Sequence, residues 1–292
     1  MQIVYVLGLG RSGTTALNLL LGLDERLLCL GSMPHSSAEL EVKVKRNIRC
    51  SCGDSVSDCV FWARFNGLVD SSDGDFCVEV MRRAADLEGV EVLVDASKSI
   101  DRLTHWIDVA NSNPDIELKI VNLVRDVRGY TQSITNRANS SISRIPKVLR
   151  KFVYPFWIPF QWARAVRTHR EFLESNDYVA IRLSYESMCF ETAEFLDQLY
   201  RVIGLSVPEV DSDLRKSYAH DSSEKSLMFK RTGVIKFDYK WFLYPFKSSL
   251  YLFIPQALRE MSLMHRDDGV WGLKNFLECS DSNLKDGKLD DR

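Results

Sequence analysis

The stretch that most constrains this chain is "GLGRSGTT", residues 8–15. It follows the apolar run Ile3-Val4-Tyr5-Val6-Leu7 and precedes Ala16-Leu17-Asn18-Leu19-Leu20-Leu21. A buried strand, a glycine-rich turn and an apolar helix in that order make an anion cradle. The glycines let the backbone approach an oxyanion, and the helix start presents free N–H groups and the positive end of its dipole. Around Gly13, the side chains of Arg11, Ser12, Thr14 and Thr15 add further donors. A plain glycine turn needs no such density of hydroxyls. The nucleoside triphosphate version of this loop reads G-x-x-x-x-G-K-[ST]. Gly8, Gly13 and Thr15 fit it, but Thr14 stands at the lysine position and Arg11 is the loop's one cation. Without the lysine that bridges β- and γ-phosphates, ATP hydrolysis is disfavoured. A terminal phosphate or sulfate remains as the ligand.

A second anion-binding element reads "LVRDVRGYTQSITNR", residues 123–137. Arg125 ends an apolar β-branched run. If a helix begins near Asp126, Ser133 and Arg137 lie four apart on one face. Arg125 reaches toward that face from the strand end, and two guanidiniums with a hydroxyl form a clamp for a second phosphate. The spacing also fits ordinary helix-surface charge, with Asp126 paired to an arginine.

Strand readings at Ile3–Leu7, Val92–Val94, Ile120–Val124 and Val179–Ile181 alternate with helical patterns at 76–89, 99–114 and 192–205. Alternation of this kind implies an α/β fold, a P-loop-like central parallel sheet flanked by helices on both faces. Ligands of such sheets sit at the carboxyl ends of the strands. A single domain is expected over 1–278, with an aromatic-rich helical insertion at about 146–174 broken near Pro155 and Pro159, and a polar, disordered tail over 279–292. The segment 239–253 has a similar aromatic character. Both segments serve as core, as the lining of an apolar acceptor pocket or as a membrane-surface contact.

The net charge of −2 gives no global attraction to nucleic acid, so an anion site has to be a local cluster. No apolar stretch reaches the roughly 20 residues of a membrane span. With no secretory signal in view, a cytoplasmic location is expected. Seven cysteines then default to reduced thiols. Cys50, Cys52 and Cys59, with Cys77 beyond, have metal-ligand chemistry, but the C-x-C-x6-C spacing matches no common zinc motif. A structural cluster or redox-sensitive pair is the preferred reading, with zinc the minority one and no metal assigned.

Taken together, Arg11-Ser12-Gly13-Thr14-Thr15 and Arg125 with Ser133 resemble the sulfotransferase superfamily that uses 3′-phosphoadenosine 5′-phosphosulfate (PAPS). There a [KR]-S-G-T-T loop cradles the 5′-phosphosulfate and an R-x7-S motif holds the 3′-phosphate. The arginine form, and Arg137 after the serine, look most like the bacterial and tyrosylprotein branches. "VDASKS" places Lys98 at the family's lysine that contacts the transferring group. "CSCGDSVSDCVFW" resembles a segment of bacterial members, and "IRLSYESM" resembles the family strand that ends in a Tyr-Glu pair, here Tyr185-Glu186. "MFKRTGVIKFDYKW" resembles, with looser spacing, the segment that closes over the nucleotide, matching Lys230, Arg231 and Gly233. The likeness spans about residues 2–245.

What the resemblance implies is transfer of a sulfuryl group from PAPS to a hydroxyl of a small-molecule, carbohydrate or lipid acceptor, without a metal. Arg11 and Lys98 are the candidates for charge stabilisation. In the branch most similar to this chain a Gly-Glu pair after the first helix supplies the base. Here it reads Gly31-Ser32, and the carboxylate is gone. Nearby substitutes are His35, Glu39 and Glu41, with His105 and His220 further off, and His35 is preferred. Two other readings stand beside this one. A P-loop kinase or NTPase needs a lysine that the loop lacks, and a catalytically silent nucleotide-binding module fits the lost glutamate.

Overall fold

The computed structural model describes residues 1–65, 73–140, 147–176, 178, 180–209, 213–243 and 249–267. Five parallel strands form one sheet in the order β2-β3-β1-β4-β5. They are β1 (Gln2–Gly8), β2 (Leu27–Cys29), β3 (Val92–Lys98), β4 (Glu117–Val124) and β5 (Ala180–Ser184). The helices are α1 (Thr14–Leu21), α2 (Ser37–Lys45), α3 (Asp73–Ala85), α4 (Ile100–Ser112), α5 (Val127–Ser140), α6 (Lys147–Ser175), α7 (Tyr185–Phe190), α8 (Thr192–Ile203), α9 (Glu224–Lys230) and α10 (Pro255–Asp267).

The near-continuous apolar reading of β1 follows from its place in the middle of this sheet. Successive strand side chains point to opposite faces, and both faces of β1 are covered. Val4 and Val6 pack with Leu17 and Leu20 of α1 and Phe195 and Leu199 of α8. Ile3, Tyr5 and Leu7 pack the other way, against Phe76 and Val80 of α3 and Leu103 and Trp106 of α4. A third cluster joins Val124 and Val127 to Trp162, Ala163 and Val166 of α6 and to Met261 and Met264 of α10, with Leu9 of the glycine loop against it.

The order of strands creates the binding crevice. From β1 the chain goes to β2 and β3 on one side and only then to β4 on the other. The loops leaving β1 and β4 therefore diverge, and the gap between their carboxyl ends is the topological switch point where ligands of open α/β sheets bind. The two anion elements of the sequence lie on these two loops.

One local expectation changes. The helical segment does not break at Pro155 and Pro159; α6 runs through both. Each proline removes one N–H from the helix ladder, and that loss is outweighed where Ile158, Trp162, Ala163 and Val166 bury against neighbouring elements. In the aromatic segment at 239–253, Lys240–Leu243 and Leu250–Phe253 are short 3-10 turns, and residues 244–248 lie outside the described residues. The expected tail and the boundary at 278 lie outside the described residues, as does Val179 of the expected last strand.

Candidate active site

The glycine loop is held open by backbone conformations that cost energy. Gly13 precedes α1 with φ 91°, and no side chain caps the first turn of that helix. The N–H groups of Thr14 and Thr15 therefore face the loop as anion donors. A Cβ at Gly13 would lie 2.5 Å from the Tyr185 ring, so only glycine fits between the loop and α7. Non-glycine residues with positive φ among the described residues are Arg11 (83°), Asn47 (51°) and Lys98 (78°). The left-handed conformation costs about 1–2 kcal/mol for a residue with a Cβ. Two of the three strained positions are thus the cations singled out for charge stabilisation, a placement typical of functional sites.

The two anion elements touch. Arg11 Nε donates to Ser133 Oγ at 2.8 Å, and Arg125 Nη1 donates to the Arg11 carbonyl at 3.0 Å. Arg125 follows β4 directly and is buried. Its guanidinium lies 4.4 Å from the centroid of the Tyr185 ring, and Nη2 reaches Asp238 Oδ2 at 3.3 Å. Trp162 Nε1 donates to the Arg125 carbonyl at 3.0 Å and fixes the strand end from beneath. Two buried donors here have no hydrogen-bond partner, Ser12 Oγ and Arg125 Nε. One lies on each of the two elements that meet here. Arg137 lies on the exposed part of α5, one turn past Ser133.

Behind Arg125 stands a carboxylate pair. The backbone N–H of Asp126 donates to both oxygens of buried Glu186, at 3.2 and 3.3 Å. Asp126 is tied to Arg128, whose guanidinium covers the Trp241 ring at 4.3 Å. Burial, aided by the charge of Asp126 and opposed by Arg125, lifts the Glu186 carboxyl to about 8.

Lys98 occupies the end of β3, across β1 from Arg125. Burial pulls its ammonium below the ordinary lysine value, against the pull of Asp221 and Asp95. The loop after β2 lies on the same rim, because Met33 N donates to Ser97 Oγ at 3.1 Å and Arg102 Nη2 donates to the Pro34 carbonyl at 2.7 Å. This places exposed His35 on the rim that carries Lys98. The other substitutes for the missing base are committed elsewhere. Glu39 accepts from His35 N at 2.7 Å and sits 3.7 Å from Lys43 Nζ. Glu41 pairs with Lys45 on the surface, and His105 faces Gly74 of α3. His220 lies among the cysteines, with Nδ1 3.2 Å from Cys59 Sγ.

Asp221 escaped the sequence reading. Its carboxylate presses against Gly31, where a Cβ would lie 2.2 Å from Cγ. It accepts a short bond from Ser226 Oγ, and its Oδ1 is buried without a partner. A carboxylate therefore does stand beside the Gly31-Ser32 position, supplied from a distant coil segment that has no pattern of its own.

In the segment resembling a nucleotide cover, Lys230 Nζ donates to the Ser217 carbonyl. Gly233 packs on the turn at Asp213 and Arg215, and Arg231 is exposed. The residue of this segment that reaches Arg125 is Asp238, while Tyr185 OH donates to the Lys236 carbonyl at 3.1 Å.

On the outer side of α6, Val153, Phe156, Trp157 and Phe160 line an open apolar groove of about 420 Å³ with Ile254. Ile254 belongs to the cluster on which Leu9 of the glycine loop packs.

No protein-family profile matches the chain, and no curated protein sequence does. Solved structures do. The sulfotransferase domain from the curacin biosynthetic pathway matches with a TM-score of 0.53 at 14% identity, over 90% of this chain and 97% of that one. The sulfotransferase domain from the Synechococcus PCC 7002 olefin synthase matches with a TM-score of 0.52 at 15% identity, over 87% of this chain and 94% of that one. The fold is that of sulfotransferase domains. No helix among the described residues is long and apolar enough to cross a membrane.

Proposed function

We propose that this protein is a sulfotransferase that moves a sulfuryl group from PAPS to a hydroxyl of a small-molecule, carbohydrate or lipid acceptor. The observation that carries the reading is the contact of Arg11 with Ser133 at 2.8 Å. It joins two anion elements 122 residues apart at the switch point of a sulfotransferase fold. The α1 N-terminus, Ser12, Thr14 and Thr15 bind the 5′-phosphosulfate. Arg125, Ser133 and Arg137 bind the 3′-phosphate, with Lys230, Arg231 and Gly233 on the covering segment.

The reaction is an in-line displacement. The acceptor oxygen forms a bond to sulfur as the bond from sulfur to the 5′-phosphate oxygen breaks. The acceptor proton passes to His35, and adenosine 3′,5′-bisphosphate leaves with the bond's electron pair. Charge grows on the bridging oxygen, and Arg11 and Lys98 stabilise it by preorganised donors. Their strained backbones fix where those donors start. The apolar groove on α6, which shares Ile254 with the cluster on which Leu9 packs, supports an acceptor with an apolar or ring-bearing part.

Turnover of sulfur-labelled PAPS with a mixed hydroxyl acceptor library tests the reading, alongside thermal shifts. Adenosine 3′,5′-bisphosphate is expected to stabilise the protein without magnesium, and label is expected to reach an acceptor. Stabilisation by Mg-ATP alone would show a kinase-like protein instead, and bisphosphate binding without turnover would show a silent module.

A further inference from the structure

Away from the nucleotide cradle lies a second chemical cluster. Cys50, Cys52, Cys59 and His220 bring four ligand atoms within 4.8 Å of one another. Cys59 Sγ is 3.6 Å from Cys50 Sγ and 3.2 Å from His220 Nδ1. Zinc binds thiolate sulfur at about 2.3 Å and imidazole nitrogen at about 2.0–2.1 Å in a tetrahedron. The edges of such a tetrahedron are about 3.5–3.8 Å, within a few tenths of an ångström of these two separations.

The backbone assembles this cluster by itself. Gly53, with φ 113°, turns the chain between Cys50 and Cys59, and its N–H closes the turn on the Cys50 carbonyl at 3.0 Å. Ser51 stitches the turn to the distant segment: its N–H donates to the Asp221 carbonyl at 2.9 Å and its hydroxyl to the Ala219 carbonyl at 2.5 Å. Asp221 N donates back to Ser51 Oγ at 2.8 Å. His220 is fixed on both sides, by its N–H to the Cys29 carbonyl at 2.7 Å and by Trp62 Nε1 to its own carbonyl at 2.6 Å. Orienting bonds of this kind are what hold metal ligands in place. Cys77 is not a member; its sulfur accepts from Arg102 Nη1 at 3.0 Å. The fourth ligand is His220, 161 residues from Cys59, which is why the cysteine spacing alone matched no zinc motif.

We infer that Cys50, Cys52, Cys59 and His220 bind one zinc ion. The three thiols each lose a proton to solvent and the imidazole coordinates through Nδ1, with no change of oxidation state. Four protein ligands close the coordination sphere, so the ion is structural, not catalytic. A disulfide would use two of the sulfurs and leave the third, and the imidazole, without a role. The ion ties the Cys50–Cys59 loop to the coil segment that continues into Asp221, the carboxylate packed on Gly31 and paired electrostatically with Lys98. It thereby braces one wall of the site without entering the reaction.

The test is metal content. Full-length protein purified without chelator under reducing conditions is expected to carry about one zinc per chain. Cys50→Ser with Cys59→Ser is expected to lose metal affinity at least roughly tenfold to a hundredfold. Because two buried serines can prevent folding, wild-type protein exchanged with Co²⁺ provides a second readout. Thiolate-to-cobalt charge-transfer bands and the strong ligand-field bands of tetrahedral cobalt are expected, with the charge-transfer bands weaker in Cys52→Ser. Folded, reduced protein that takes up less than about a tenth of an equivalent of added zinc would overturn the site, as would an octahedral cobalt spectrum. A Cys50–Cys59 disulfide whose reduction restores no metal uptake would overturn it as well. None of these readouts depends on sulfuryl transfer.

Discussion

Arg125 and Asp238, 113 residues apart, meet at 3.3 Å beside the glycine loop, and the carboxylate occupies a guanidinium nitrogen that a phosphate would need. If Arg125 binds the 3′-phosphate as proposed, Asp238 competes for that nitrogen. Asp238→Asn removes the competing charge and is expected to tighten adenosine 3′,5′-bisphosphate binding about twofold to fivefold, the scale of a partly exposed ion pair. Titration calorimetry checks this, and weaker binding in the variant would assign Asp238 the opposite role.

Arg125→Ala tests the other half of the pair. Losing hydrogen bonds to a charged group costs about 1.5–3 kcal/mol, or roughly tenfold to 150-fold in affinity. That loss is expected for the 3′-phosphorylated nucleotide and not for adenosine 5′-phosphosulfate. Equal losses for both nucleotides would show that the guanidinium only props up the loop through the Arg11 carbonyl.

Arg11 rests on Ser133 through Nε, so its terminal nitrogens are the part that can follow a developing charge. Arg11→Ala is expected to lower kcat about 10²- to 10³-fold, the usual cost of removing one transition-state donor. Binding of the bisphosphate is expected to change by no more than roughly threefold, since the interaction strengthens only in the transition state. Single-turnover rates and bisphosphate Kd values measured on the same preparation separate the two effects.

Gly31→Ala meets two obstacles at once. The residue has φ 65°, and its new methyl would fall 2.2 Å from the Asp221 carboxylate. Backbone strain and overpacking together are expected to destabilise the fold by about 2–4 kcal/mol. Urea unfolding measures it. Wild-type stability in the variant would mean that Asp221 moves freely and does not hold this wall.

The sequence was informative where chemistry is written in consecutive residues. The strand, glycine turn and helix at 3–21 fold as read, because the turn's conformational demands and the strand's two buried faces are local. Arg125 and Ser133 were legible for the same reason, as a strand end and a helix face. The three-residue strand Leu27–Cys29 was not, being too short to show a period. Asp221 and His220 were not either. They lie in coil, and their contacts with Gly31 and with Cys50, Cys52 and Cys59 are made by the tertiary fold. Pro155 and Pro159 misled because proline's local penalty says nothing about packing gained by the rest of α6.

Glu186 gives the site a pH dependence whose direction is fixed by burial. Its carboxyl is lifted from 4.5 to about 8 in the folded protein. Between those values the folded state holds a proton that the unfolded state has released, so stability falls as pH rises through this window and levels off above it. Glu186→Gln carries no titratable proton there and is expected to remove that slope. Urea unfolding of both proteins at about pH 5.5 and about pH 8 should show wild type losing on the order of 1 kcal/mol or more relative to the variant. The same comparison bears on binding. A protonated Glu186 leaves the charge of Arg125 uncompensated from behind and available to a phosphate, so bisphosphate affinity in wild type is expected to weaken as Glu186 ionises. In Glu186→Gln that part of the pH dependence should vanish, and a slope that persists unchanged would place the titrating group elsewhere.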